Sequence, residues 1–318
     1  MFGEGEVSMD QKAILLYNPK AGHGAIRIQL DYITKRMQEY GYELRFYRSK
    51  AVGAIKEHII ECIDEENTQL ILVSGGDGTL NECITGMGIK GIDIPLLILP
   101  LGTANDFANS AGIPMDVRES LKLIEAGELS YIDVGKANEK YFINVCNMGL
   151  FSGVSHQVDP ELKKKLGRFA YYLKGFEEIQ NYQAMDITIT TEHECIHEKY
   201  ILVLVFNGKG AGGLLKLAKY AQITDGVFDL VCIKDVNFFD VPGLFLKVLQ
   251  GEHLKDPNID YFTSGKLRIE CHNQDQKQFI TDVDGEEGPK FPIDIDVISN
   301  KFRIYLPKHS ADRVDEDK

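Results

Sequence analysis

The chain lacks tryptophan, holds only ten prolines among 318 residues, and has no surplus of basic charge, with 35 Lys and Arg against 48 Asp and Glu for a formal net charge of −13. With no basic excess, nonspecific nucleic-acid binding is excluded, because neutralising phosphates needs a surplus of Lys and Arg. By the same bulk count an anionic membrane should repel the chain as a whole. Apolar runs such as Ile92 to Leu101 and Ile201 to Phe206 fall well short of the ~18–20 residues that cross a bilayer. The first ten residues, MFGEGEVSMD, carry neither the basic nor the apolar segment of a signal peptide. Cys62, Cys83, Cys146, Cys195, Cys232 and Cys271 form no C-x-x-C pair, so no disulfide framework or zinc knuckle is indicated and a reduced, cytosolic setting is expected. No G-x-x-x-x-G-K-[ST] string occurs, which excludes a P-loop kinase. A hydrophobic fraction of 44% then leaves a globular chain of roughly two domains.

Strand-like and helix-like segments alternate over residues 1–130, the pattern of an α/β domain with a mostly parallel sheet. AILLYN (Ala13 to Asn18), YELRFY (Tyr42 to Tyr47), QLILVS (Gln69 to Ser74) and PLLILP (Pro95 to Pro100) read as strands. Ile26, Leu30, Ile33 and Met37 stripe one helix, and Ile55, Ile59, Cys62 and Ile63 another. From about Tyr131 to residue 300, runs such as KYFINVCNM, MDITITT, KYILVLVFN and PIDIDVI predict a β-rich sandwich domain, and KFRIYL reads as a further strand after it. Helical inserts are expected at Pro160 to Gln180 and near Val241 to Leu249. The segment 300–318 is expected to return to the first domain.

In an open α/β sheet, ligands sit at the carboxyl ends of strands, so the turns there are the place to seek function. Gly75-Gly76-Asp77-Gly78-Thr79 follows the third strand and opens a helix. Glycines let backbone amides approach a ligand, and a helix N-terminus adds partial positive charge, so a polyphosphate is the natural guest. Asp77 would repel a bare phosphate and is expected to hold Mg²⁺ or its water. Thr79-x-x-Glu82 reads as a capping box, which makes Glu82 at least partly structural. PLGTANDF places Thr103, Asn105 and Asp106 after the fourth strand, and NPKAGHG places Asn18, Pro19 and Gly22 after the first.

Together these turns resemble the diacylglycerol kinase catalytic family of soluble bacterial lipid kinases, which carries N-P-x-x-G, G-G-D-G-T-x-N-E and G-T-x-N-D in that order. The resemblance extends through Gly212-Gly213, AKYA (Ala218 to Ala221), Thr224-Asp225-Gly226 and Asp284-Gly285-Glu286. Lys219 stands where the family has proline. The resemblance implies ATP as phosphoryl donor at Asn18, Pro19, Gly22, Ser49, Gly75, Gly76, Asp77, Gly78, Thr79, Asn81, Thr103, Asn105 and Asp106. It implies a structural Mg²⁺ held by Asp225 and the main-chain oxygens of Gln222 and Val227, and a second Mg²⁺ network at Asp77 and Asp106. The general base is expected at Glu286, with Asp284 as second choice, and the acceptor is a membrane lipid, diacylglycerol first. Two alternatives remain: an NAD kinase, and a catalytically silent lipid-binding protein of the same fold. A homodimer is left open.

Several readings compete with these. Asp284-Gly285 also suits a type I′ hairpin turn, and Ser49 also suits a helix N-cap. His193-Glu194-Cys195-Ile196-His197 matches the H-E-x-x-H zinc string, but between two alternating β-prone runs it reads as a hairpin. Gly208, Gly210 and Gly213 match a dinucleotide fingerprint without the helix that it requires. Leu162, Leu166, Phe169, Leu173 and Phe176 form a helical stripe flanked by Lys163, Lys164, Lys165, Arg168 and Lys174, and this segment is expected to dock on anionic lipid.

Overall fold

The computed structural model describes residues 11–150, 183–210, 217–237, 240–276 and 279–308. The expected helix at 160–180 with its basic stripe, and the Gly212-Gly213 pair, lie outside these residues. The chain divides into two compact units, residues 1–132 with 301–318, and residues 133–300.

The first unit is α/β. Its order is β1 (Gln11–Tyr17), a 3-10 turn (Ala21–Gly24), α1 (Ile26–Glu39), β2 (Tyr42–Arg48), α2 (Ala54–Cys62), β3 (Leu70–Gly75), α3 (Asp77–Lys90), β4 (Leu96–Pro100), and the short helices α4 (Asp106–Ser110), α5 (Val117–Leu121) and α6 (Leu123–Ala126). The strands pair in the order β4-β3-β1-β2, every pair parallel. Strands β3 and β4 are buried at every residue, as expected of central strands covered on both faces. The helices bury most of the expected stripes: Ile26, Ile33 and Met37 on α1, with Leu30 only partly buried, and Ile55 and Ile59 on α2, with Ile63 buried at its C-cap and Cys62 exposed. Gly86 lets α3 approach α2 closely, since a Cβ there would lie 3.0 Å from both the Ile59 side chain and the Lys56 carbonyl.

The second unit is β-rich. It holds the second half of β5 (Glu128–Ala137), then β6 (Lys140–Phe142), β7 (Val145–Gly149), β8 (Met185–Thr191), β9 (Cys195–Phe206), β10 (Phe228–Lys234), α7 (Val241–Gln250), β11 (Ile259–Ser264), β12 (Lys266–Cys271), β13 (Thr281–Val283) and β14 (Glu286–Glu287). Strand β15 (Ile293–Leu306) pairs antiparallel with β12 through its first residues, and its later part pairs parallel with β4 in the first unit's sheet. The long β9 pairs antiparallel with β8 along its first half and with β7 and β10 along its second. Phe142, Phe228, Tyr200, Ile187, Ile269 and Ile293 belong to the core of this unit. Phe142 and Phe228 stack with centroids 5.4 Å apart.

Three local expectations are corrected. KYFINVCNM is two strands, because the amides of residues 143–145 turn to a carboxylate instead of a ladder. PIDIDVI and KFRIYL are one continuous strand, β15. The capping box does not form: α3 starts at Asp77 with Gly76 as its N-cap, so Thr79 already lies inside the helix. The Glu82 carboxylate instead accepts the Ile55 N–H (3.1 Å) in the first turn of α2, whose own N-cap, Gly53, has no side chain to offer. Glu82→Ala is therefore expected to lower stability by about 1–2 kcal/mol in urea titration. An unchanged midpoint would show that water replaces the carboxylate without loss.

Candidate functional site

The first unit gathers three turns at the carboxyl ends of β1, β3 and β4. The Asn18 N–H donates to the Ser74 carbonyl (3.0 Å) and the Leu101 N–H to the Gly75 carbonyl (2.9 Å), which carries the strand pairing into the turns. Backbones then touch. A Cβ on Gly22, whose φ is +52°, would sit 2.4 Å from the Leu101 carbonyl oxygen, and one on Gly102 would sit 2.3 Å from the Gly76 Cα. These glycines are required by the close approach of the turns themselves before any ligand is considered.

Side chains complete the lock. Asp77 accepts the Phe107 N–H (3.0 Å), so the first residue of α3 caps the start of α4 and brings the buried Asp106 into the same turn cluster. Asn105 adopts a left-handed conformation (φ 51°), accepts the Gly102 N–H (2.9 Å) and donates back to the Gly102 carbonyl (3.1 Å). Asn18 Oδ1 accepts the Lys20 N–H (2.9 Å), and Asn81 Oδ1 accepts the Thr85 hydroxyl (3.1 Å). Pro19 and Thr79 are buried, while Thr103 is exposed. Ser49 is buried after β2, its N–H on the Tyr17 carbonyl (3.0 Å), and since α2 is capped at Gly53 the N-cap reading of Ser49 fails. Gly75, Gly76, Asp77, Pro100 and Asn105 line a small cleft here. Gly78 is the exception among these glycines. Nothing stands within 4 Å of its absent Cβ, so the neighbouring turns do not crowd the side of α3's first turn, and a helix start is suited to an anion.

In the second unit, Asp284 and Gly285 both have positive φ (51° and 89°) between β13 and β14, with Val283 paired to Glu286. The two-residue turn is thus the tight hairpin that Asp-Gly favours. The Asp284 carboxylate faces inward and accepts three backbone N–H groups, from Ile143 (2.6 Å), Asn144 (2.9 Å) and Val145 (3.0 Å). Its lone pairs are committed to the chain. Glu286 is exposed on the far side of the same turn.

Asp225 lies on a second turn of this unit, before β10. Asp133, which the sequence reading missed, accepts the Gly226 N–H (2.8 Å) and the Ser299 hydroxyl and is buried beside it. Its only sequence signal is an acid inside the alternating YIDVGKA run. Burial raises the Asp225 carboxyl above the usual range, with Asp133 adding to the rise. Burial pushes Asp229 up to about 6, against the lowering effect of the hydroxyl that Tyr261 donates to it. Taken whole, Asp225 is itself exposed, and the repulsion between it and the buried Asp133 and Asp229 is of the kind that a hard divalent cation relieves. Among the described residues no three His, Cys, Asp or Glu side chains are arranged to hold a metal by themselves. A set of one carboxylate and two carbonyls is of a different kind.

Residues 12–137 match the diacylglycerol kinase catalytic domain, and residues 144–306 match the YegS C-terminal NAD kinase beta sandwich-like domain. The chain belongs to the diacylglycerol kinase and YegS-like family. Its relatives include the diacylglycerol kinase of Staphylococcus saprophyticus, 30% identical over 299 residues that cover 94% of this chain and 96% of that one. The diacylglycerol kinase of Bacillus subtilis is 29% identical over 311 residues, 96% of this chain and 100% of that one. A crystal structure of a diacylglycerol kinase from Bacillus anthracis superposes with a TM-score of 0.75 at 28% identity, covering 93% and 97% of the two chains. Membership makes the chain a kinase of this family, and among the described residues no helix is long and apolar enough to cross a membrane.

The clamp separates the two acids of the hairpin. Asp284→Asn keeps the shape but turns an amide N–H₂ toward backbone donors, and is expected to cost about 2–3 kcal/mol of stability. Glu286→Gln, at an exposed position, is expected to stay within about 0.5 kcal/mol of the parent. Equal losses in urea titrations of the two variants would mean that the three amides do not distinguish them.

Proposed function

We propose that this protein transfers the γ-phosphoryl group of ATP to the hydroxyl of a membrane lipid, diacylglycerol first, giving phosphatidic acid and ADP. The observation that carries the reading is the interlocked set of turns at Asn18 to Gly22, Gly75 to Thr79 and Gly102 to Asp106, which leaves the first turn of α3 open at Gly78. Preset amides at a helix N-terminus are suited to polyphosphate and need no rearrangement to bind it. The names of the relatives support the lipid acceptor.

In this reading the amides around Gly76 and Gly78 orient the phosphate chain, and Asn18, Ser49, Asn81, Thr103 and Asn105 shape the turns that receive the nucleotide. Glu286 takes the proton of the lipid hydroxyl as its oxygen attacks the γ-phosphorus and the bond to the β-phosphate oxygen breaks. Asp284 serves as the anchor that presents Glu286. Mg²⁺, when bound, neutralises phosphate charge; Asp77 and Asp106 would hold it with the nucleotide, and Asp225 with the Gln222 and Val227 carbonyls would hold the structural ion.

Mass spectrometry of products after incubation with ATP, Mg²⁺ and a lipid extract, with NAD as a parallel acceptor, tests the reading. Phosphatidic acid is expected, with Glu286→Gln reducing turnover by about 10²-fold or more. Phosphorylated NAD alone would establish the NAD kinase alternative, and no phosphorylated product would favour a silent lipid-binding protein.

We further infer transient docking on anionic lipid through the basic segment Leu162 to Phe176, which carries +5. Reversing Lys163, Lys164 and Lys165 to Glu is expected to weaken binding to phosphatidylglycerol vesicles. Equal binding to neutral and anionic vesicles would contradict this.

A further inference from the structure

The H-E-x-x-H string does not form a helical zinc site, because β8 ends at Thr191 and β9 begins at Cys195 across the hairpin. Its second histidine meets a different imidazole. His197 on β9 pairs with Thr188 on β8, and Thr188 pairs on its other side with Glu270 of β12, two residues before His272. The Thr188 hydroxyl oxygen lies 2.9 Å from His197 Nδ1 and 2.7 Å from His272 Nε2. The two rings are 5.3 Å apart between centroids.

The surroundings fix the arrangement. His197 Nε2 lies 3.1 Å from the buried Asp186 Oδ1 without the alignment of a hydrogen bond, and that oxygen has no other partner, so a small ring rotation would join the two. The His272 N–H donates to the Asp186 carbonyl (2.8 Å), and the Asp186 N–H to Asn273 Oδ1 (2.7 Å), so the strand ends that bear both rings are tied together. Thr188 has one hydroxyl proton. It can serve only one of the two rings, and with each imidazole in the tautomer that leaves His197 Nδ1 and His272 Nε2 unprotonated, both nitrogens are acceptors aimed at one point.

We propose that His197 and His272, with Asp186 behind His197, form a surface site for a borderline divalent transition-metal ion of the Zn²⁺ and Cu²⁺ class. Imidazole nitrogens bind such ions at ~2.0–2.1 Å, which asks each nitrogen to move by less than about 1 Å toward the point that the Thr188 oxygen holds. Thr188 turns aside and water completes the coordination, since the His197 side chain is 61% exposed and no third ligating side chain converges among the described residues. The carboxylate behind His197 is the usual orienting partner of a metal-bound imidazole. Two neutral nitrogens discriminate against Mg²⁺, which prefers oxygen. The ion joins β9 to the end of β12 and stabilises the second unit on binding.

The experiment is calorimetric titration with Zn²⁺ in excess Mg²⁺, on full-length protein carrying Cys62→Ser and Cys195→Ser to remove the two exposed thiols. Saturable binding of one ion is expected, with a rise in melting temperature. His197→Gln and His272→Gln should each weaken it about tenfold or more, and Asp186→Asn about tenfold. All three lie on the surface of the sheet, and circular dichroism checks their folding. Absence of saturable binding, binding lost on removing the cysteines, or binding unchanged in the double histidine variant would each overturn the proposal.

Discussion

Backbone contact between neighbouring turns is the constraint on which the first unit rests. Parallel strands end at the same level, so the turns that leave them compete for one small volume. Glycine is what fits, and the close approaches of Gly22 to Leu101 and of Gly76 to Gly102 follow from it. Once the turns are that close, one carboxylate can serve two elements. Asp77 opens α3 and caps α4, so the end of β3 and the end of β4 are fixed by a single side chain.

The second unit solves the same problem with buried acids. Backbone N–H groups in the turns between its strands need acceptors. Asp284 supplies one for residues 143–145, Asp133 for Gly226, and Asp282 for Gly285 (2.9 Å). Each removes an unsatisfied donor and gives the loop one conformation. A carboxylate used in this way is occupied, so a place in a signature string does not by itself mark an acid as a proton acceptor.

The legible part of the sequence was local. Runs such as LILVSG and LLILP announce buried parallel strands because burial on both faces needs uninterrupted apolar side chains. The three turns could be placed because glycine and asparagine at strand ends have few structural meanings. What the sequence hid depends on partners far along the chain. The break between β6 and β7 is caused by a carboxylate 141 residues away from Ile143, and nothing in KYFINVCNM signals it. Glu82 has the right spacing for a capping box, yet it serves another helix, since Gly76 already provides a start for α3. Asp133 sits in an alternating run like any solvent-facing acid, and only the fold turns it inward. His197 was visible in a misleading motif, while its partner His272 lies 75 positions on.

The glycines of GGDGT do not carry equal information. Gly76 is held to its identity by Gly102, and Gly75 by the Thr79 side chain, which a Cβ would meet at 2.3 Å. Selection for folding alone would preserve both. Gly78 faces open space, so folding leaves it free to vary and only a visiting ligand would restrain it. A relative that kept the signature but replaced this one glycine would still have the architecture while having lost its reason for the opening. Position 78 thus distinguishes inheritance of a shape from retention of a use.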